Sequence, residues 1–587
     1  MKLNKYFIAG SLLAVSMSFT SCVGDLDLLP TNPNDLTAAE FPEDPEGYMR
    51  EVFADVFLNL STFGPNGSNI LQSMDGGMST FQRSVFNLEE VPSDEASWIP
   101  SNDAIPHTWQ YGEFTVDETV IRGAFNRMML ICSLANQFIQ TDFGLQTAEQ
   151  EALREEFVRE VKILRSGVYF YLISNFGNVP LNDENVLIGA IPPQLSTNYA
   201  EGRRLVTEAV VNTLEEIVTW YKENDPNNNP PYGYLGLDVA EALLVKYYLN
   251  YEVFTGTPAW QKCFDHAQSL ISRRGNGGFN NTGLATSYFQ NFCPNNKEEN
   301  EIIWRIVSQN ADTNTDSTGS HVGVLNWANG GLMMMGWIGN DDAQGINQLP
   351  QYNSGQGWKC IVARRQFVEV FDWNADYTVS PDKRVTWWAT AKDGFNINNP
   401  DLDYDNWGNN GYLAVKYTNW YQNADGSISA SRDNFYSTNS DGEEVQTTKV
   451  PVNVVFDDLS PIPLQDVQMD YGMIRLAEIY LSAAEAGLYI GQNDAALKYV
   501  NYVRQRAGMA PYTTINLTEL RNERQRELYT ECTRRTDLVR YGLWVSGYNW
   551  NWKYHAPTGT DFPARMVVYP IPQIQVTNAG YVQNPGY

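Results

Sequence analysis

A chain of 587 residues, 43% of them hydrophobic and 13% aromatic, can bury a large core and still leave rings over for its surface. Its formal charge of −29 excludes nucleic acid as a partner, because phosphate binding needs the opposite sign. Six cysteines without a CxxC pair exclude a disulfide framework.

Residues 1–21 read as a signal peptide. MKLNK is a basic n-region, YFIAGSLLAVSMSF an apolar h-region, and FTSC sets small residues directly before Cys22. Cys22 is therefore the expected lipidated first residue of the mature chain, holding it at a membrane surface. The polar VGDLDLLPTNPND follows too abruptly for a spanning helix, which takes about 20 apolar residues, and no later apolar run approaches that length.

The stretch 72–110 carries Trp98 in SDEASWIPSND, a Pro- and Ser-rich loop. A sugar ring presents an apolar face of C–H groups and a rim of hydroxyls, so it is held by stacking on Trp or Tyr with polar side chains at the rim. Trp98, with Arg83, Asp75 and Asn102 close in sequence, supplies that mixture on a segment with no helical period to bury the indole.

Helical spacing then runs over 117–140 and 147–176, where Ala152, Phe157, Val161, Leu164, Val168 and Tyr171 recur on one face. Further helical segments follow at 204–221, 238–254 and 259–273. Cys132 and Cys263 fall within this helical series and read as buried thiols, and Trp260 as a core indole.

From 275 to 460 the composition shifts to Gly, Asn, Asp and aromatic residues, and nine of the sixteen tryptophans lie between Trp304 and Trp420. A loop-rich region buries so many indoles poorly, so this excursion reads as a ligand surface, with Trp327 and Trp337 of NWANGGLMMMGW expected to join Trp98 on one exposed face. Asp312, Asn314 and Asp316, like Asp401, Asp403 and Asp405, copy the alternating ligands of a calcium loop but lack its glycine and its closing glutamate, and read as acidic turns. The four histidines show no metal spacing and there is no G-x-S-x-G, so no cofactor, metal or catalytic residue is expected.

Helical spacing returns at 471–489 and 494–507. These segments are joined by a tight turn, with Ala484 and Ala496 small enough to let two helices approach closely, as in a tetratricopeptide-like hairpin. RNERQRELYTECTRRTDLVRYG, residues 521–542, then places Glu523, Glu527 and Glu531 at spacing four among Arg524, Arg526, Arg534 and Arg535. Acid/base chemistry needs carboxyls whose pKa values are pushed apart, whereas these should all stay ionised and paired. The segment reads as a structural brace, and Trp544 beyond it as core.

Cys22 followed by GDLDLLPTNP, the hairpin RLAEIYLSAAEAGLYIGQNDAALKYVNYVRQRAG, the NERQREL helix with TDLVRYG, and the ending YPIPQIQVTNAGYVQNPGY together resemble the SusD/RagB family of outer-membrane glycan-binding lipoproteins. TRRT at 533–536 departs from the aromatic that the family often has there. The resemblance implies a mainly α fold, one large domain on tetratricopeptide-like helical hairpins with an irregular ligand-binding region. Its parts would be 22–274, a helical and loop part; 275–460, the aromatic-rich excursion; and 461–587, the C-terminal helical part. It implies a non-catalytic receptor at the cell surface, lipid-anchored in the outer membrane, that captures an oligosaccharide and passes it to a SusC-like TonB-dependent transporter. A surface glycosidase, or a peptide-capturing member of the same family, stays open as an alternative.

Overall fold

The computed structural model describes residues 44–60, 80–98, 107–293, 296–307, 361–386, 388, 390, 416 and 470–587, with four short ladder segments between the last two, β4 (Tyr421–Gln422), β5 (Ile428–Ser429), β6 (Tyr436–Thr438) and β7 (Glu444–Gln446). The signal peptide, Cys22, Asp75, Asn102, Trp327, Trp337 and both calcium-like loops lie outside the described residues.

The chain divides into two units, of which the smaller has described residues 44–54 and 141–157. There the helix α1 (Pro45–Leu58) stacks Phe53 on Phe157 at 3.9 Å and 14°, with Arg50 5.7 Å from the same ring.

The larger unit is built on helices whose positions follow the apolar spacing of the sequence. They are α2 (Phe81–Glu89), α3 (Thr119–Gln140), α4 (Ala148–Phe176), α5 (Tyr199–Asn224), α6 (Leu237–Leu249), α7 (Tyr251–Thr255) and α8 (Trp260–Arg274). After the excursion come α10 (Leu476–Tyr489), α11 (Asn493–Arg506), α12 (Leu517–Leu528) and α13 (Arg534–Arg540), with the one-turn α9 (Arg365–Val368) before them. Helix α5 packs on α6, α6 on α8, α8 on α10, and α10 on both α11 and α12, an arrangement consistent with stacked tetratricopeptide-like hairpins. Ala484 and Ala496 are fully buried, and at Gly487 an added Cβ would stand 3.3 Å from Phe264 of α8 and 3.5 Å from Ala496. Cys132, Cys263, Cys293 and Cys532 are buried free thiols, and burial pushes Cys132 up to about 12.

Residues 471–475 are a strand, not the start of a helix: β8 (Tyr471–Arg475) pairs antiparallel with β2 (Ile302–Ile306). This ladder carries Trp304 into the core, 1% exposed, against Gly167 of α4, where an added Cβ would lie 2.7 Å from its ring. Trp388 is likewise buried. The tryptophans of the excursion are thus partly core, because distant helices supply the walls that the local sequence lacks.

The 521–542 segment is a brace, but not one helix. It breaks after Leu528, and Thr530 and Cys532 take φ of +61° and +60° before α13 begins. Glu531 accordingly leaves the stripe of Glu523 and Glu527, and all three carboxylates are buried in an ion network drawn from six parts of the chain. Arg384 reaches Glu523 at 2.9 Å, Glu527 at 3.1 Å and Asp382 at 2.7 Å. Arg475, the last residue of β8, joins Glu301 at 2.5 Å, Glu527 at 3.2 Å and Glu531 at 2.6 Å. Arg506 bonds both Glu301 and Glu527, and Lys416 meets Glu531 at 2.5 Å. Burial alone would raise Glu523, but Arg384, Arg526 and Arg504 around it hold its carboxyl well below the usual range.

Removing one member leaves its partners charged and dry, so Glu527→Ala should cost about 3–5 kcal/mol in a denaturant titration. For Glu523 the folded pKa lies below the unfolded one, so its contribution is complete above the ordinary carboxylate pKa and is lost as pH falls through the folded value. The Tm gap between wild type and Glu523→Gln should therefore be full at neutral pH and shrink below about pH 4.

Candidate ligand-binding site

The strand β1 (Ala96–Trp98) does not present Trp98 to solvent. It pairs antiparallel with β3 (Ile361–Ala363), setting Trp98 opposite Ile361, and all three of its residues are buried, the indole to 1% exposure. One side of the ring is covered by Arg83, whose guanidinium lies 5.4 Å from the centroid and donates to Asn87 Oδ1 at 2.7 Å. Arg83 is itself 4% exposed. The expectation of an open Trp98 platform with Arg83 at its rim is corrected: both are interior. The reason is tertiary, since the covering strand arrives from more than 260 positions downstream and helix α2 brings Arg83 over the ring. The indole Nε1–H is buried without an acceptor among the described residues.

What β1 does is organise the backbone beneath a surface. Gln110 clasps it, accepting from the Trp98 amide at 2.9 Å and the Ser97 hydroxyl at 3.0 Å while donating to the Trp98 carbonyl at 2.7 Å. Arg364, directly after β3 and fully buried, donates to the carbonyls of Ala96 at 2.6 Å, Asn551 at 2.9 Å and Gln110 at 3.2 Å. Burial lowers this guanidinium to about 10, with no carboxylate within ion-pair distance among the described residues. Such a cation meets chiefly backbone carbonyls, with the Gln110 Oε1 3.4 Å away as its one side-chain acceptor among the described residues, and so fixes three segments to one another. Sequence reasoning missed Gln110, Arg364 and Asn551, and no local signal marks them, because their roles exist only once those segments meet.

The remaining indoles divide. Trp109 is buried, donating to the Asn87 carbonyl at 2.8 Å and stacked 5.4 Å from Tyr569. Trp544 is core, as its position suggested, in a cluster with Leu538, Trp550, Phe562 and Met566. Trp260, expected in the core, is only half-buried, because it stacks 4.2 Å from the exposed Tyr489 at the surface. Among the described residues no group of acidic, histidine or cysteine side chains could hold a metal ion.

The model of the SusD family, SusD_RagB, matches residues 300–587, which hold the β2–β8 ladder and the brace. Over its full length the chain is 26% identical to starch-binding protein SusD of Bacteroides thetaiotaomicron, covering 99% of that protein.

The chain belongs to the SusD/RagB family.

Solved structures agree in fold. A SusD superfamily protein of Parabacteroides distasonis superposes with a TM-score of 0.61 at 18% identity, over 94% of this chain and 100% of the other. Surface glycan-binding protein A of Bacteroides thetaiotaomicron, in complex with laminarihexaose, gives 0.59 at 18% identity over 92% and 99%.

Because Trp98 is core, Trp98→Ala should destabilise the protein by about 3–5 kcal/mol, as large-to-small changes of buried aromatics do. Calorimetric unfolding checks this; an unchanged Tm would show that the indole is not packed as described.

Proposed function

We propose that this SusD-family chain is a non-catalytic cell-surface receptor that captures an oligosaccharide and delivers it to a TonB-dependent outer-membrane transporter. The observation that carries the reading is full-length similarity to a starch-binding protein, supported by a fold shared with a laminarihexaose-binding neighbour. Anchoring follows from the lipobox ending at Cys22. No helix among the described residues is long and apolar enough to cross a membrane; in this reading, passage of the ligand through the bilayer is assigned to a separate barrel.

The buried pair Glu90 and Glu95 does not favour a glycosidase. Glu90 is pushed up to about 7 by burial, accepts from the Thr533 amide at 3.0 Å and bonds the similarly buried Glu95, so neither carboxyl is open to a ligand. A retaining or inverting pair needs room for a sugar between its carboxyls.

Purified protein mixed with a panel of polysaccharides should bind at least one without releasing new reducing ends; turnover would overturn the non-catalytic assignment. In cells, Cys22→Ala should lose its membrane attachment, and a variant still membrane-bound and protease-accessible on intact cells would contradict the anchor.

A further inference from the structure

The loop after the C-terminal aromatic core carries an unusual backbone. Trp552, Tyr554 and His555 have φ of +67°, +51° and +61°, a region that bulky side chains rarely occupy. Glycine would relieve each position, yet a ring stands at all three. Such conformations persist only where the surroundings over-determine them, and they gather at binding sites.

Here the surroundings are firm. Lys553, between the strained residues, points inward, donating to the carbonyls of Tyr548 at 2.8 Å and Val545 at 3.2 Å while lying 4.5 Å from the Trp550 ring. Tyr554 packs edge-on against Phe562 at 5.9 Å. Asn551 is held by Arg364 through its carbonyl and by Gln366 through its side chain at 2.6 Å, which ties the loop to the strand pair of Trp98.

With its inner residues fixed, the loop turns the others outward. Trp552 is half-buried, 6.2 Å from Tyr111, and His555 meets the same tyrosine edge-on at 4.6 Å. His555 Nδ1 lies 3.3 Å from Glu113 Oε1, and both side chains are well exposed, at 54% and 42%. The half-buried Trp552, backed by Tyr111 at 6% exposure, thus borders a carboxylate that can accept from two neighbouring hydroxyls and an imidazole that can donate or accept. A sugar ring needs an apolar face for its C–H groups and polar groups for its rim. The exposed carboxylate disfavours uronic or sulfated sugars, as does the acidity of the whole chain.

We propose that the Trp552–His555 loop, with Tyr111 and Glu113, forms a subsite for a neutral hexose unit of the bound oligosaccharide. The inference rests on the glycan-binding reading above. In the bound state Trp552 meets the apolar face of the sugar, while Glu113 and His555 take its hydroxyls.

The test uses Trp552→Gly and His555→Gly in the full chain, with calorimetric titration of whichever neutral oligosaccharide the wild type binds from a panel of α- and β-glucans, mannans and xylans. Glycine relieves the backbone at each position, so His555→Gly should keep or raise Tm while weakening binding about threefold. Trp552→Gly should weaken it by about tenfold or more, from the lost stacking surface. If Trp552→Gly fails to fold, His555→Gly decides. Both folded variants binding like wild type overturns this subsite alone, as does an affinity loss that follows a fallen Tm in each. A wild type that binds no glycan in the panel overturns the glycan-binding reading and the subsite with it.

Discussion

A guanidinium taken out of water must be met by carboxylates, and Arg384, Arg475 and Arg506, all fully buried, meet theirs from segments far apart in sequence. Glu301 precedes β2, Arg384 lies in the excursion, Arg475 ends β8, Arg506 ends α11, and Glu523 and Glu527 stand on α12. Burying an ion pair gains little stability over an apolar pair of similar shape, but a mispaired one is very costly. The network therefore acts through specificity: only one docking of these segments leaves every charge satisfied. The part of the chain with the least periodic sequence is thereby held to the helical hairpins by charge and not by apolar area alone.

That constraint gives the proposed binding surface its rigidity. β3 and Arg364 lie in the excursion shortly before Arg384, so the segment that covers Trp98 is fixed at one end by the ion network and at the other by β1. Arg364 extends the chain of support to Asn551 and hence to the strained loop. A receptor that stacks sugars gains affinity from rings already in place, because ordering them on binding would consume the free energy of contact.

Much of the scaffold was legible in the sequence. The apolar spacing located α3, α4, α5 and α8 to within a few residues, since those helices bury one face and keep the other wet. The brace was legible as charge chemistry, because acids interleaved with arginines cannot serve as a split acid/base pair. Residues 471–475 were not, since a buried apolar run of that length suits strand or helix and only the partner β2 decides. Glu531 looked like a third member of a helical stripe, and the break after Leu528 depends on Thr530 and Cys532 taking φ values that their side chains do not advertise. Trp98 misled for the opposite reason: its neighbours are loop-forming, and its cover comes from β3 and α2. Tyr111 and the Trp552–His555 loop lie hundreds of positions apart in sequence, so no window of local sequence joins them.

Native-state hydrogen exchange of Arg384→Met tests the central claim most directly. Arg384 contacts Asp382, Glu523 and Glu527 but neither Glu301 nor β8. If one cooperative network holds these segments in register, exchange should accelerate in 301–306 and 471–475 as well as around 382–386 and α12. Acceleration confined to 382–386 and α12 would contradict the account, reducing the network to a set of independent local pairs.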